Sequence, residues 1–167
     1  VSIATTTGYA NTDYNLWPIF APLWMLFLSS FATCSGSTGG GIKMVRAILL
    51  YKQVFRELLR AMHPNAVHQT KLGNEVVENK IVFAVLAFGF MYMVSIVSMT
   101  LLMAASGLDI VTAFSAVVAC INNTGPGLNQ VGPATTFAVL TDFQTWVCSF
   151  AMLLGRLEIF TLLVVLT

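Results

Sequence analysis

Charged side chains are scarce in this sequence. Asp, Glu, Lys and Arg make up 9% of the 167 residues, whereas 57% are apolar and the mean hydropathy is +0.82. Because soluble domains carry about 25% charged residues, the composition excludes that class and predicts an all-α membrane protein. The net charge of +1 gives no sign of a nucleic-acid partner, and we expect none.

Cysteine and histidine are also few. The three cysteines, Cys34, Cys120 and Cys148, stand in apolar surroundings and fit neither a disulfide framework nor a metal-binding spacing, so we expect them to be packing residues. The two histidines, His63 and His68, lie in a basic segment. The sequence therefore lacks the Ser–His, Asp–Asp or zinc arrangement that a membrane protease needs within the bilayer. We expect no enzyme activity and no cofactor in this chain.

The charges that are present are unevenly distributed. No charged residue occurs between Lys80 and Asp109, whereas seven of the eight Lys and Arg residues fall between positions 43 and 80. By the positive-inside rule that basic stretch is cytoplasmic, and Asp13, Asp109 and Asp142 then lie on the opposite side. The seven basic residues are Lys43, Arg46, Lys52, Arg56, Arg60, Lys71 and Lys80.

The hydrophobic pattern divides the sequence into three parts. Residues 1–62 hold a glycine loop and an apolar helix that is broken before its basic end. Residues 63–80 form a cytoplasmic linker, in which Gly73-Asn74 predicts a small hairpin. Residues 81–167 comprise a spanning helix at 81–105, a helix at 108–121 that is too short to span, a loop at 122–127 and a spanning helix at 137–167. We expect the sequence to be a fragment of a longer chain.

Two short loops look like two copies of one motif. They are Ala4-Thr5-Thr6-Thr7-Gly8-Tyr9 and Asn122-Asn123-Thr124-Gly125-Pro126-Gly127, and an apolar helix follows each. Glycine lets successive backbone carbonyls face one axis, where they can replace the water around a cation. The two crossings between the loops put both on the outer face, so the predicted pore-loop repeats are parallel. Inverted repeats would instead indicate an alternating-access carrier.

A glycine run, Gly36 to Gly41, interrupts the first apolar helix. Each glycine inside a helix costs about 1 kcal/mol relative to alanine, and Ile42 stands where a phosphate-binding loop needs lysine. Apolar sequence flanks the run directly, and irregular backbone within the bilayer is tolerated only inside protein or along a water-filled cavity. The run therefore predicts a broken helix beside a pathway. A carrier that binds its solute at this break remains the alternative function.

Four aromatic residues cluster where this first apolar segment begins: Tyr9, Tyr14, Trp17 and Trp24. Such residues are typical of the membrane interface, but aromatic residues of an apolar helix equally often pack in a core. Both interpretations remain open from the sequence.

Five stretches in order resemble the Trk/Ktr/HKT superfamily of potassium transporters. They are Thr5 to Tyr9, Ser35 to Lys43, His63-Pro64-Asn65-Ala66-Val67, Asn122 to Gly127, and Gly155-Arg156-Leu157-Glu158. The third is similar to the bacterial Trk branch. The resemblance implies a four-unit pore in which this sequence is the third unit from its filter onward and most of the fourth. It further implies a multi-pass protein of the bacterial inner membrane, a homodimer, and a cytoplasmic nucleotide-binding regulatory subunit.

The same resemblance assigns roles to the two loops and to the glycine run. Potassium, the substrate, would be bound by filter carbonyls, with ion sites at Thr6, Thr7, Asn123 and Thr124. Arg156 would face the pore below the filter as a barrier to cations, although a structural ion pair with another helix remains open for it. The filter residues are Thr6, Thr7, Gly8, Tyr9, Asn123, Thr124 and Gly125, and the gate residues are Gly36, Ser37, Thr38, Gly39, Gly40, Gly41 and Arg156.

Overall fold

The computed structural model describes residues 2–18, 20–31, 41–63, 71–72 and 75–156. Within these ranges most residues lie in helices. The α-helices are α1 (Phe20–Phe31), α2 (Met44–Met62), α3 (Asn79–Ala105), α4 (Ile110–Ile121) and α5 (Asp142–Arg156), and one-turn 3-10 helices occur at Tyr14–Leu16, Asn129–Val131 and Phe137–Val139.

The linker between α2 and α3 contains two very short strands. β1 (Lys71–Leu72) pairs antiparallel with β2 (Glu75–Val76), so Leu72 lies opposite Glu75. The sequence predicts a hairpin at this place. Its turn residues, Gly73 and Asn74, lie outside the described residues.

Helix α3 has the length of a membrane span. Its 27 residues extend about 40 Å at ~1.5 Å per residue, which exceeds the ~30 Å hydrocarbon core of a bilayer. Among the described residues it is the one helix that is both long and apolar enough to cross. One face is buried and the other exposes large apolar side chains. The buried residues are Val82, Val85, Phe88, Tyr92, Ile96, Met99 and Met103.

Helix α4 is the centre of the fold. Its 12 residues extend only about 18 Å, too short for a span, and it packs against α1, α3 and α5. Small residues such as Ala113, Ala116 and Ala119, which are all buried, allow its neighbours to approach closely. A short, buried helix that ends at a glycine loop is what the sequence predicts for residues 108–121.

Helix α5 begins at Asp142, so the prediction of a helix starting at Phe137 is wrong. Leu140 is extended, with φ −76° and ψ 145°. Half of a capping box then starts the helix, because the Gln144 side chain accepts the Thr141 N–H at 2.9 Å. The buried Gln144 amide also donates to Ser106 Oγ at 2.8 Å, which ties this start to the end of α3.

The start of α2 is attached to both α1 and α3. Ile42 N–H donates to the Ser30 carbonyl at 2.9 Å, so the chain comes back to the end of α1 before α2 begins. In α2, the Arg46 guanidinium lies 4.3 Å from the centre of the Phe88 ring and so ties the basic helix to α3. Of the glycine run, the structure describes Gly41; residues 36–40 lie outside the described ranges.

Candidate functional site

The loop after α4 begins with a hydrogen-bonded helix cap. Asn123 N–H donates to the Cys120 carbonyl at 3.1 Å, and Thr124 N–H donates to the Ala119 carbonyl at 2.9 Å. Asn123 has φ 52° and Gly125 has φ 104°. This is a Schellman motif, in which a left-handed residue reverses the chain while the last helical carbonyls keep partners. The backbone therefore turns sharply at the point where the sequence predicts a filter.

The loop at the start of the chain has the same hydrogen bonds. Thr6 N–H donates to the Ile3 carbonyl at 3.1 Å, and Thr7 N–H donates to the Ser2 carbonyl at 2.9 Å. Thr6 has φ 54° and Gly8 has φ 82°. A left-handed threonine is rare because its branched Cβ is crowded there. The two loops thus share hydrogen-bond pattern, distances and backbone conformation, position for position.

The two loops lie against each other. A Cβ on Gly8 would overlap the Thr124 carbonyl oxygen, whereas the nearest atom to a Cβ on Gly125 would be the Gly8 Cα, at 3.9 Å. The predicted filter residues from both loops, Thr6 to Gly8 and Asn123 to Gly125, are therefore brought to one place. Tyr9 is 83% exposed and projects away from the core.

A second set of contacts joins the segments that follow the loops. The Tyr14 hydroxyl donates to the Gly127 carbonyl at 3.0 Å. Asn15 and Asn129 bond reciprocally, because Asn129 N–H donates to Asn15 Oδ1 at 3.1 Å and Asn15 Nδ2 donates to the Asn129 carbonyl at 3.4 Å. Burial, and secondarily the charge of Asp13, raises the pKa of Tyr14 to about 12, so the phenol remains a donor.

The aromatic cluster divides between the two interpretations left open by the sequence. Tyr14 is 4% exposed and belongs to the core, whereas Tyr9, Trp17 and Trp24 are exposed. The sequence singles out Tyr14 as an aromatic residue of this cluster, but not its hydrogen bond to the Gly127 carbonyl.

Polar side chains at the C-terminal end of α4 surround Asn122, whose side chain is fully buried. Its Oδ1 accepts the Tyr92 hydroxyl at 2.8 Å, and its Nδ2 donates to Ser29 Oγ at 3.2 Å and to Ser30 Oγ at 3.1 Å. Sequence reasoning missed these four residues as members of one cluster. The available signal was the Tyr92 phenol in a span without charged residues, since a buried phenol requires a partner.

Helix α5 contacts the same terminus from another side. A Cβ on Gly155 would overlap the Ile121 carbonyl oxygen, and Asn123 Nδ2 donates to the Met152 carbonyl at 3.4 Å. Arg156 follows directly and is exposed at the end of the described part of α5. The structure thus places Arg156 next to the base of the second loop. The gate residues Gly36, Ser37, Thr38, Gly39 and Gly40 lie outside the described residues.

Comparison with known proteins shows the family of this chain. The model of the TrkH family, described as a cation transport protein, matches residues 1–167. The chain belongs to the TrkH family. Membership in this family, together with the length of α3, indicates that the chain is part of a membrane protein.

Individual relatives agree with the family assignment. The Trk system potassium uptake protein TrkH of Vibrio parahaemolyticus serotype O3:K6 is 46% identical over 167 residues, which are 100% of this chain and 34% of that protein. TrkH of Escherichia coli K12 is 46% identical over 168 residues, again 100% and 34%. TrkG of the same strain is 37% identical over 163 residues, 98% and 33%.

A solved structure matches the whole chain. The crystal structure of the potassium transporter TrkH from Vibrio parahaemolyticus superposes with a TM-score of 0.91 at 45% identity, covering 100% of this chain and 35% of that one. The chain therefore spans about a third of the length of the relatives it matches.

Proposed function

We propose that this TrkH-family chain supplies part of a pore that takes potassium into the cell through a filter of backbone carbonyls. The observation that carries the proposal is the repeated left-handed turn, at Thr6 to Gly8 and at Asn123 to Gly125, with the two turns in contact. Its matched relatives are named potassium uptake proteins.

The chemistry of the loops suits a dehydrated cation. Backbone carbonyls are neutral dipoles that can replace hydration water without holding the ion too tightly to leave. The Thr124 side chain offers a further oxygen, since its buried hydroxyl has no hydrogen-bond partner among the described residues. The ion-lining groups are the carbonyls of Thr6, Thr7, Gly8, Asn123, Thr124 and Gly125, with Tyr9 at the edge.

The glycine run is the proposed gate, and Arg156 is the proposed barrier below the filter. Three observations support this assignment: Ile42 is bonded to Ser30, Gly41 has φ 84°, and Gly155 packs against the end of α4 just before Arg156. Gly41, the one described residue of the run, lies beside Asn122 at the base of the second loop, since a Cβ there would be 2.9 Å from Asn122 Oδ1. Ser37 and Thr38 would meet Arg156 when the gate is closed.

The basic residues of α2 indicate the side of the membrane on which this helix lies. Helix α2 carries Lys52, Arg56 and Arg60, which suit the cytoplasmic side of a bacterial inner membrane. A cytoplasmic nucleotide-binding subunit that pulls on α2 would act directly on the gate. We also propose that the multi-pass protein, embedded in lipid, is a homodimer.

Growth at low potassium tests the function. The full-length protein is produced in cells that lack potassium uptake, and a Gly8→Ala variant serves as a control with a disrupted filter. We expect growth with the native chain and little growth with the variant at equal membrane abundance. Absence of growth with the native protein present in the membrane would overturn the proposal.

Deletion of Gly39 to Gly41 tests the gate. A shortened run cannot close the pore, so flux should rise and depend less on the regulatory subunit. If the glycines only allow helices to pack, the deletion should instead destabilise the protein and abolish flux. That second outcome would end the gate assignment.

A further inference from the structure

We propose that a groove between α2 and α3 binds an anionic phospholipid of the cytoplasmic leaflet, with its phosphate at Arg56 and Arg60 and an acyl chain along α3. The inference goes beyond potassium uptake. It rests on the cytoplasmic placement of α2 proposed above, and on neither the filter nor the gate.

The groove lies between two helices that run side by side in opposite directions. Contacts at two levels define this pair. The Arg46 guanidinium lies 4.3 Å from the centre of the Phe88 ring, and Arg56 Nη1 donates to Asn79 Oδ1 at 3.1 Å. The groove lies along the cytoplasmic part of the pair and has a volume of about 690 Å³. That volume is within the range of small-molecule sites.

Arg56 and Arg60 form the polar end of the groove. They are one turn apart on α2 and therefore share a face of the helix. The bond to Asn79 holds the Arg56 guanidinium at the start of α3, and Arg60 is exposed. Because guanidinium groups bind phosphate oxygens through paired N–H donors, this end of the groove suits a phosphate group.

One acidic residue, Glu57, is among the described residues that line the groove. Glu57 Oε1 accepts the Gln53 amide at 2.8 Å, which holds the carboxylate toward the preceding turn of α2, whereas Arg60 lies in the following turn. Two guanidinium groups against one carboxylate leave a net charge of +1. The groove therefore favours an anionic headgroup over a zwitterionic one.

The remaining wall of the groove is apolar. Phe83 and Leu86 from α3 and Val54 from α2 line it, and all three are exposed. A free phosphate ion would leave these side chains in water, whereas an acyl chain would cover them. The combination of two arginines with an apolar wall thus fits an amphiphile.

The depths of the two ends match the layers of a bilayer. Helix α3 exceeds the ~30 Å hydrocarbon core, so its first turn, which contains Asn79, extends into the headgroup region. Leu86 is seven residues further along α3, which is about 10 Å deeper and at the level of the acyl chains. Basic pockets between helices on the cytoplasmic side are typical sites for anionic lipid headgroups.

Lipid binding to the purified full-length protein tests the role of the arginines. The protein is titrated with dioleoylphosphatidylglycerol or dioleoylphosphatidylcholine, and native mass spectrometry measures the affinity of the tightest-bound lipid. We expect a preference for phosphatidylglycerol, which Arg56→Gln/Arg60→Gln lowers on the order of tenfold. Arg60→Gln alone, which keeps the bond between Arg56 and Asn79, should lose part of it.

A matched control removes the same charge outside the groove. Lys52→Gln/Lys80→Gln changes exposed residues of α2 and α3 that do not line it, and the preference should remain. Equal losses in the arginine and lysine variants, or no preference in the native protein, would overturn the proposal.

A matched pair of phenylalanines tests the acyl chain. Phe83 lines the groove and Phe90, further along α3, does not, although the two are 69% and 68% exposed. Phe83→Ala should weaken phosphatidylglycerol binding severalfold, Phe90→Ala should not, and excess inorganic phosphate should not displace the lipid. Displacement by phosphate, or equal affinity in the two variants, would indicate a simple anion site or a groove filled by another part of the protein. Either result would overturn the proposal. These measurements do not depend on transport, so the lipid site and the proposed function can fail separately.

Discussion

Three glycines with similar backbone angles separate the effect of strain from the effect of contact with the loops. Gly8, Gly125 and Gly107 have φ values of 82°, 104° and 94°. Alanine at any of them costs roughly 1–2 kcal/mol in left-handed strain. Their surroundings differ. A Cβ would overlap the Thr124 carbonyl oxygen at Gly8, touch the Gly8 Cα at 3.9 Å at Gly125, and meet nothing within 4 Å at Gly107.

The three alanine variants are therefore expected to form a graded series. Gly107→Ala should lower stability by the strain alone, a factor of about 5 to 30 in the folded-to-unfolded ratio, with native ion preference. Gly125→Ala should add a modest change in selectivity. Gly8→Ala should abolish most of the preference for potassium over sodium, because the Thr124 carbonyl must move away from the ion-binding position that we propose for it.

The assay is radioactive rubidium uptake by proteoliposomes that contain the full-length protein, with potassium or sodium as competitor. Thermal unfolding of each variant is measured alongside, so that loss of fold is separated from loss of selectivity. If Gly107→Ala alters the competition as strongly as Gly8→Ala, or if all three behave alike, the contact between the loops does not set selectivity and the reasoning fails.

Three further predictions use the contacts around the loops. Gly155→Ala should abolish flux, because the added Cβ would overlap the Ile121 carbonyl oxygen of α4. Gly89→Ala is the control and should keep its flux, because its Cβ would meet Leu50 Cδ1 at an ordinary 3.6 Å. Equal flux in the two variants would refute this prediction. Arg156→Ala should raise flux at equal expression, and reduced flux would favour a structural ion pair. Tyr14→Phe should lower the free energy of unfolding by about 0.5–1.5 kcal/mol through the lost hydrogen bond, as denaturant titration would measure. Since the Tyr14 pKa is raised to about 12, the stabilising contribution of the protonated phenol should be complete below about pH 10 and be lost as the pH rises further. A native protein that already loses stability near neutral pH, when Tyr14→Phe does not, would contradict this.

Helices α3 and α4 could be predicted from the sequence because the lengths of their apolar stretches indicate which of them can span a membrane. The charge-free interval before Asp109 predicts a span that overlaps α3, and the shorter apolar stretch after it predicts α4. The start of α5 was misplaced because the apolar residues begin at Phe137, before the helix does. The sequence Thr141-x-x-Gln144 has the capping-box pattern and indicates the correct start, a local signal that hydrophobicity alone does not contain.

The candidate site could be predicted only in part from the sequence. The two similar glycine loops could be recognised from residues a few positions apart, whereas the left-handed conformation of Thr6 and Asn123 is seen only in the structure. The hydrogen bonds of Asn122 depend on partners in α1 and α3, which are distant along the chain and meet only when α4 is packed between them. A single sequence does not specify which of several apolar helices bring their polar groups together.

The central claim is that the paired loops select potassium, and competition for rubidium uptake by the native full-length protein tests it most directly. The account predicts that potassium displaces rubidium, that sodium does so weakly, and that a solute of alanine size is not transported. Equal competition by sodium and potassium, or transport of the larger solute, would contradict a carbonyl filter and favour a carrier that binds its solute at the broken helix.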